Sequence, residues 1–345
     1  MSALVAVPPS GSTDEQRRTL RDRPTAADRT FRSYVLGAGL VVLVVMVLIG
    51  SFLSLRAGEA LRKAGFSFFT TQSWHTEQGG RFGVLAILVG TFIIAVVAIV
   101  VALPLSLGTA LYISEYSPRG LRRLLVSLVD LMAAIPSVVY GIFGAFFLQP
   151  DILVNGPQGD GLPRWLATYF GFFPFFHVSG ADPRNPLATG TVYTASSFNA
   201  GLVVGFMLTP IMSSIMREVF QQAPLGEREG AYALGATRWG MIRSVVLPYG
   251  LGGIIGGTML GLGRALGETV AVYMIVSPVF VIQPHILQKG AISISSLIAL
   301  RFGDANGLAL SALMAAGLTL FFVTLAVNSL AAVIVSRSRS GAADL

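Results

Sequence analysis

The sequence predicts an all-α, polytopic membrane protein with six transmembrane helices, on three observations. The chain is 53% hydrophobic with a mean hydropathy of +0.71. Only 12% of its residues are charged, about half the share usual in soluble domains. Apolar runs of about 20 residues or more, the length a helix needs to cross a bilayer, recur at Tyr34–Leu55, Val84–Ile113, Leu121–Leu148, Phe198–Phe220, Tyr249–Val276 and Gly307–Val335.

The basic residues set the expected orientation. With the N-terminus inside, the cytoplasmic segments hold Arg17, Arg18, Arg21, Arg23, Arg29, Arg32, Arg119, Arg122, Arg123, Arg217, Arg228, Arg238, Arg243, Arg337 and Arg339. The outer segments hold only Arg56, Arg62, Lys63, Arg81, Arg164, Arg184, Lys289 and Arg301. Both termini are therefore expected in the cytoplasm. The net charge of +7 reflects this bias and does not point to nucleic acid.

Residues 1–33 read as a polar, disordered cytoplasmic tail rich in Arg, Thr and Asp, and 337–345 as a second tail. Between them, 34–336 form one transmembrane domain. Its first span reads as a signal anchor, since both the tail and the apolar run are too long for a cleaved signal peptide. The absence of cysteine excludes disulfides and thiolate metal sites.

One span carries a charge pair. Gly263-Arg264-Ala265-Leu266-Gly267-Glu268-Thr269 lies within the otherwise apolar, glycine-rich run Tyr249–Val276. A charge at the centre of a bilayer costs roughly 2.5–3.5 kcal/mol on insertion scales, so such residues usually face a bundle interior or a water-filled path and have a partner. In a continuous helix Glu268 follows Arg264 by four residues, on the same face and about 6 Å along the axis. Arg264, Glu268 and Thr269 are thus candidates to line a path for an anionic solute. A guanidinium keeps its charge and offers a planar fork of donors to an oxyanion. A carboxylate beside it limits the cost of an unpaired charge when the path is empty. The alternative is a fixed helix staple, or a Glu268 that pairs with another subunit. Gly250, Gly252, Gly253, Gly256, Gly257, Gly261, Gly263 and Gly267 give the same span small faces for close helix packing.

The segment of about 222–248 is too polar to cross a membrane and too patterned for a linker. Pro224 suits a helix start, with Glu227 and Glu229 in the first turn, where the dipole favours anions. Ala231, Leu234 and Tyr232 supply an apolar face, and Gly235 a C-cap that reverses the chain. A second helix follows with Trp239, Ile242 and Val245-Val246 before Leu247-Pro248. An exposed helical hairpin of this kind suits a groove of another protein, or else the membrane interface.

This loop resembles the EAA loop of ABC importer permeases. Glu229-Gly230-Ala231, then Gly235, then Val245-x-Leu247-Pro248 keep that family's spacing throughout, with Gly230 for the first Ala and Val245 for Ile as mild departures. The resemblance implies the type I importer architecture, with Glu227, Arg228, Glu229, Gly230, Ala231, Gly235, Leu247 and Pro248 in a coupling helix that docks on a cytoplasmic ATPase. Two further stretches narrow it. Gly261–Val272 and Leu131–Gly141 are similar to segments of phosphate-importer permeases of the PstC type. The companion PstA type carries G-E-T-A-P after its arginine, where this chain has Gly267-Glu268-Thr269-Val270-Ala271. The resemblance spans roughly Val84 to the C-terminus. It implies a transport subunit, not an enzyme, in a bacterial inner membrane. Its implied partners are a second, PstA-like permease, two copies of a PstB-like ATPase carrying the ATP and Mg²⁺, and an extracytoplasmic PstS-like phosphate-binding protein.

The chain agrees with a borrowed energy source. It has no G-x-x-x-x-G-K-[ST], and its only lysines, Lys63 and Lys289, precede Ala64 and Gly290. No cofactor of its own is expected, and His75, His177 and His285 show no metal-ligand spacing. Asp130, near Arg122 and Arg123, reads as an interfacial ion-pair residue close to the inner end of the third span. Pro104 and Pro136 are expected to kink their helices. The outer loop of about 149–197 carries the aromatic cluster Trp165, Tyr169, Phe170, Phe172, Phe173, Phe175 and Phe176, suited to packing on the bundle, to the membrane interface or to an external partner. Two other functions stay open. Permeases for sulfate, molybdate or tungstate share the coupling loop, and an ion-coupled secondary transporter would use Glu268 and Asp130 as carrying carboxylates.

Overall fold

The computed structural model describes residues 26–77, 80–154, 161–180, 182–185 and 190–340. Most of the first expected tail, the last five residues and parts of the long outer loop lie outside the described residues. Among the described residues, six helical segments are long and apolar enough to cross a membrane: Ala26–Phe69, Leu85–Tyr116, Ser137–Val154, Ser197–Gln221, Arg238–Gly267 and Gly307–Val335. Beyond two isolated bridges, Trp74 with Phe82 and Ser196 with Lys289, the described residues form no strand.

The chain divides into two compact units, one ending at Ile49 and one beginning at Gly50. The described part of the first unit is the opening stretch of helix α1 (Ala26–Ala64). Helix begins eight residues before Tyr34, so residues 26–33, expected in the tail, are helical, with Asp28 in the first turn where the dipole favours an anion. Tyr34 to Leu48 presents an almost wholly apolar, exposed surface, the character of a lipid-facing helix.

In the second unit α2 (Leu85–Leu111) and α6 (Ser197–Gln221) form the central pair. Small residues permit it: a Cβ on Gly201 would lie 2.5 Å from Val97 Cγ1, and one on Gly205 3.0 Å from the Ala98 carbonyl oxygen. Backbones that approach this closely replace the hydrophobic drive that lipid does not supply. Ser196 caps α6 by accepting from the Asn199 N–H at 3.2 Å. Pro104 and Pro210 lie inside α2 and α6 without ending them. Helix α9 (Leu247–Gly267) packs on α6, with Gly253 against Val219 and Gly261 against Met212. A second apolar cluster joins the end of α1 to α11 (Ile294–Arg301) and α12 (Gly307–Ser340) through Ala57, Ala60, Leu297, Ala312 and Ala316.

Two expected spans are broken. The run Leu121–Leu148 is not one helix. Helix α3 (Arg119–Ala134) ends at Ile135, whose ψ of 128° is extended, and α4 (Ser137–Phe143) restarts behind Pro136 and continues as π-helix to Val154. Proline disfavours the helical conformation of its predecessor, so Pro136 starts a helix here and does not kink one. α3 buries none of its residues, and the spanning segment is Ser137–Val154. The expected span Tyr249–Val276 is shifted as well. It starts at Arg238, because α8 (Arg238–Met241) runs through a π-helical turn (Ile242–Val246) into α9, and it stops at Gly267 before the short α10 (Val270–Ile275). The two restarted helices pack together: a Cβ on Gly141 of α4 would lie 2.9 Å from Ala271 Cα of α10.

Candidate functional site

The break at Glu268 reorganises the charge pair. Arg264 lies in the last turn of α9, but Glu268 has φ −65° and ψ 127° and stands outside the helix. The expected alignment four residues apart on one face is therefore absent. Glu268 is 7% exposed. Its Oε1 accepts from the Ala271 N–H of α10 at 3.3 Å, and its carbonyl accepts from Ser295 Oγ at 2.6 Å. The carboxylate thus serves one of the free N–H groups that begin α10, where the helix dipole also favours it. That local bond competes with continuing a glycine-rich helix of low propensity. Thr269 Oγ1 donates to the Gly267 carbonyl at 3.1 Å across the same break.

Arg264 is exposed, on a stripe with Leu260 and Gly267, and no carboxylate among the described residues pairs with it. Next to it, Gly263 lies against Asn328 of α12: a Cβ there would be 2.9 Å from the Asn328 carboxamide oxygen. The structure therefore presents a free guanidinium at the end of a broken helix, and a buried carboxylate that holds the break.

The segment after α6 folds as the hairpin its turn residues predict. α7 (Leu225–Ala233) begins behind Pro224, with Glu227 in its first turn and Glu229 beyond it. Gly235 has φ +84°, the left-handed conformation glycine adopts without a steric cost. The Gly235 N–H reaches the Tyr232 carbonyl at 2.9 Å and the Ala236 N–H the Ala231 carbonyl at 3.0 Å, closing the helix end. Thr237 then caps α8 by accepting from the Gly240 N–H at 3.1 Å. Glu227, Glu229 and Gly230 are exposed, Ala231 is half-buried, and Leu247-Pro248 form the first turn of α9. Leu225, Tyr232, Leu234 and Trp239 are exposed too, Leu234 at 92%. Arg228 behaves differently. Its side chain turns inward to Glu115, in the π-helical turn Tyr112–Tyr116 that ends α2, with N–O distances of 2.9 and 3.1 Å.

Asp130 also finds another partner than its near neighbours in sequence. It lies on the amphipathic α3, not within a span. It accepts from Ser214 Oγ at 3.1 Å and stands 3.6 Å from the Arg217 guanidinium, both on α6. His177 and His285, far apart in sequence, have ring centroids 5.6 Å apart, and His285 Nδ1 is 2.9 Å from the Pro174 carbonyl oxygen. In the outer loop α5 (Leu162–Phe170) leads into a cluster of tilted and edge-on rings. Phe176 packs on the main core, whereas Trp165, Tyr169 and Phe172 stay exposed.

Three residues escaped the sequence reading. Glu115 sits in Tyr112-Ile113-Ser114-Glu115-Tyr116, where a lone acid after a long apolar span was a usable signal. Asn328 is the one amide in the span Gly307–Val335 and was equally visible. Ser295 offered no signal, since serines are ordinary in a capping segment such as Ser293–Ser296.

A helical membrane bundle with a broken, arginine-bearing span and an exposed two-helix loop has the layout of a transport permease. Residues 102–340 match the family model described as binding-protein-dependent transport system inner membrane component. Relatives include the phosphate transport system permease protein PstC of Xylella fastidiosa, 38% identical over 93% of both chains. PstC of Pasteurella multocida is 36% identical over 89% of this chain and 91% of the relative. PstC 2 of Mycobacterium tuberculosis is 35% identical over 91% of this chain and 93% of the relative. Among solved structures, a bacterial ABC transporter involved in import of the acidic polysaccharide alginate shares the fold, with a TM-score of 0.56, 19% identity, and coverage of 90% of this chain and 98% of that one. The chain belongs to the binding-protein-dependent transport permeases and, within them, to the PstC family.

Proposed function

We propose that this chain is one of two permease subunits of an ATP-driven importer that moves inorganic phosphate across a bacterial inner membrane. The observation that carries the substrate reading is Arg264: a guanidinium on a spanning helix, exposed and without a carboxylate partner among the described residues. A phosphate oxyanion takes two parallel N–H donors from such a fork. The names of the relatives, phosphate transport permeases, support the same anion. Thr269 lies beside the same break and lines the path with Arg264. Glu268 acts there by setting the backbone that carries both.

The six spans line half of the path, and a PstA-like permease lines the other half. The exposed face of the α7–α8 hairpin docks on a PstB-like ATPase, two copies of which hold the ATP and Mg²⁺, and a PstS-like protein delivers phosphate from outside. Both termini and the hairpin lie in the cytoplasm, as the distribution of basic residues supports.

Uptake of labelled phosphate by proteoliposomes containing the whole complex tests this reading. ATP-dependent uptake that excess sulfate and molybdate leave unchanged is expected. Uptake suppressed by either competitor would assign the permease to another oxyanion, and uptake driven by an ion gradient without ATP would overturn the importer reading.

A further inference from the structure

In the α7–α8 hairpin, α8 already runs into the spanning α9, but α7 needs a tie of its own if the hairpin's movement is to be felt in α2. α7 buries none of its own residues, so apolar packing is a weak tie. Polar contacts supply a stronger one. Arg228 Nη1 donates to both carboxylate oxygens of Glu115, and Arg228 Nη2 donates to the Phe220 carbonyl near the end of α6. The two side chains are only 16% and 5% exposed, so the pair is shielded from water and salt. A single guanidinium therefore joins α7 to the ends of α2 and α6, the two helices at the centre of the bundle.

The receiving turn is unusual in its backbone. Tyr112–Tyr116 is π-helical, with the Ser117 N–H reaching the Tyr112 carbonyl at 2.8 Å. Such one-turn widenings re-aim side chains and occur often at functional positions. The Tyr116 ring in the same turn takes a second cation: the Arg238 guanidinium of α8 stands 5.4 Å from its centroid. Both helices of the hairpin are thus fastened to the same turn of α2.

We infer that Glu115 and Arg228 form the strut that passes displacement of the coupling hairpin to α2 and α6. They are positioning residues: neither lies at the Arg264 break, and Arg228 is turned away from the exposed docking face. The inference rests on the importer reading above, and assigns within it the contact that links ATP turnover to the bundle.

The test measures phosphate taken up per ATP hydrolysed by the reconstituted four-component importer. The forms compared are the wild type, Glu115→Gln, Arg228→Lys and the exchanged pair Glu115→Arg/Arg228→Glu. Glu115→Gln keeps the shape of the side chain and removes its charge. Arg228→Lys keeps the charge and loses the fork. Each single variant is expected to lower the ratio about tenfold, within the range that directly paired groups show in double-mutant cycles. The exchanged pair is expected to recover the part carried by the Glu115–Arg228 contact, but not the part carried by the bond to the Phe220 carbonyl. A ratio equal to the wild type in both single variants would overturn the strut. So would a loss that the exchanged pair fails to repair even in part while the complex still assembles on size-exclusion chromatography. Wild-type complex that moves no phosphate would instead sink the importer reading, so the two failures are distinguishable.

Discussion

Arg264→Ala is expected to abolish ATP-driven phosphate uptake while the complex still assembles and the hairpin still engages the ATPase. The reasoning starts from position. Arg264 ends α9 on an exposed stripe with Leu260 and Gly267 and has no carboxylate partner among the described residues. Its removal leaves no buried counter-charge behind, so the folding cost is that of an exposed side chain, within about 0.5 kcal/mol. The cost to transport is of another order. Hydrogen bonds from a charged donor contribute roughly 1.5–3 kcal/mol each, and a bidentate contact supplies two. Loss of both is enough to depress uptake by about a hundredfold or more at one tenfold step per 1.4 kcal/mol. Arg264→Lys keeps a point charge without the fork and should retain a small part of the activity. The measurement is labelled-phosphate uptake in proteoliposomes beside size-exclusion chromatography of the complex. Normal uptake by Arg264→Ala would remove Arg264 from the path.

Gly90→Ala is expected to destabilise the bundle and to disturb the break at Glu268 from a distance. A Cβ at position 90 would lie 2.3 Å from the carbonyl oxygen of Ile292. That neighbour is backbone, so no rotamer change relieves the overlap and the 291–296 segment has to shift. The segment is held locally by the Ile294 N–H donating to Thr91 Oγ1 at 3.0 Å and by the Ser293–Ser296 capping box. It also carries Ser295, whose hydroxyl donates to the Glu268 carbonyl. Overpacking of this kind costs about 1–3 kcal/mol. A lowered thermal midpoint of the purified protein, together with reduced phosphate uptake, is the expected result. Gly256→Ala is the comparison, since a Cβ there meets nothing within 4 Å. Equal stability of the two variants would show that the segment yields freely.

The two predictions differ in what made them visible. Arg264 stood out in the sequence because a charge within an apolar run is costly wherever the run folds. The clash at Gly90 was invisible, because its partner Ile292 lies about two hundred residues away and nothing in either local sequence marks the contact. The same division runs through the rest of the chain. Gly235 and Pro224 acted through their own backbone, so the hairpin was legible. Pro136 and Glu268 were misread as lying in continuous helices. Apolar length alone cannot tell a helix from a helix, a break and a second helix, and each break depended on a local hydrogen bond or a proline restriction outweighing helix continuation. Glu115 and Arg228 show the limit most plainly, for their pairing joins positions 115 and 228 across the four helices α3 to α6.

By itself the sequence determined what short-range physics decides: the membrane environment, the number of spans, the distribution of basic residues, the turn chemistry of the hairpin and the arginine set within an apolar run. Only the tertiary structure decided where two spans break, that Glu268 holds backbone and does not pair with Arg264, that Asp130 meets Ser214 and Arg217, and that Arg228 reaches Glu115. The polar contacts among these share one physical reason. Helix length, turns and hydropathy are set by neighbours within a few residues. The partner of a buried polar group is set by which other helix is close enough to satisfy it.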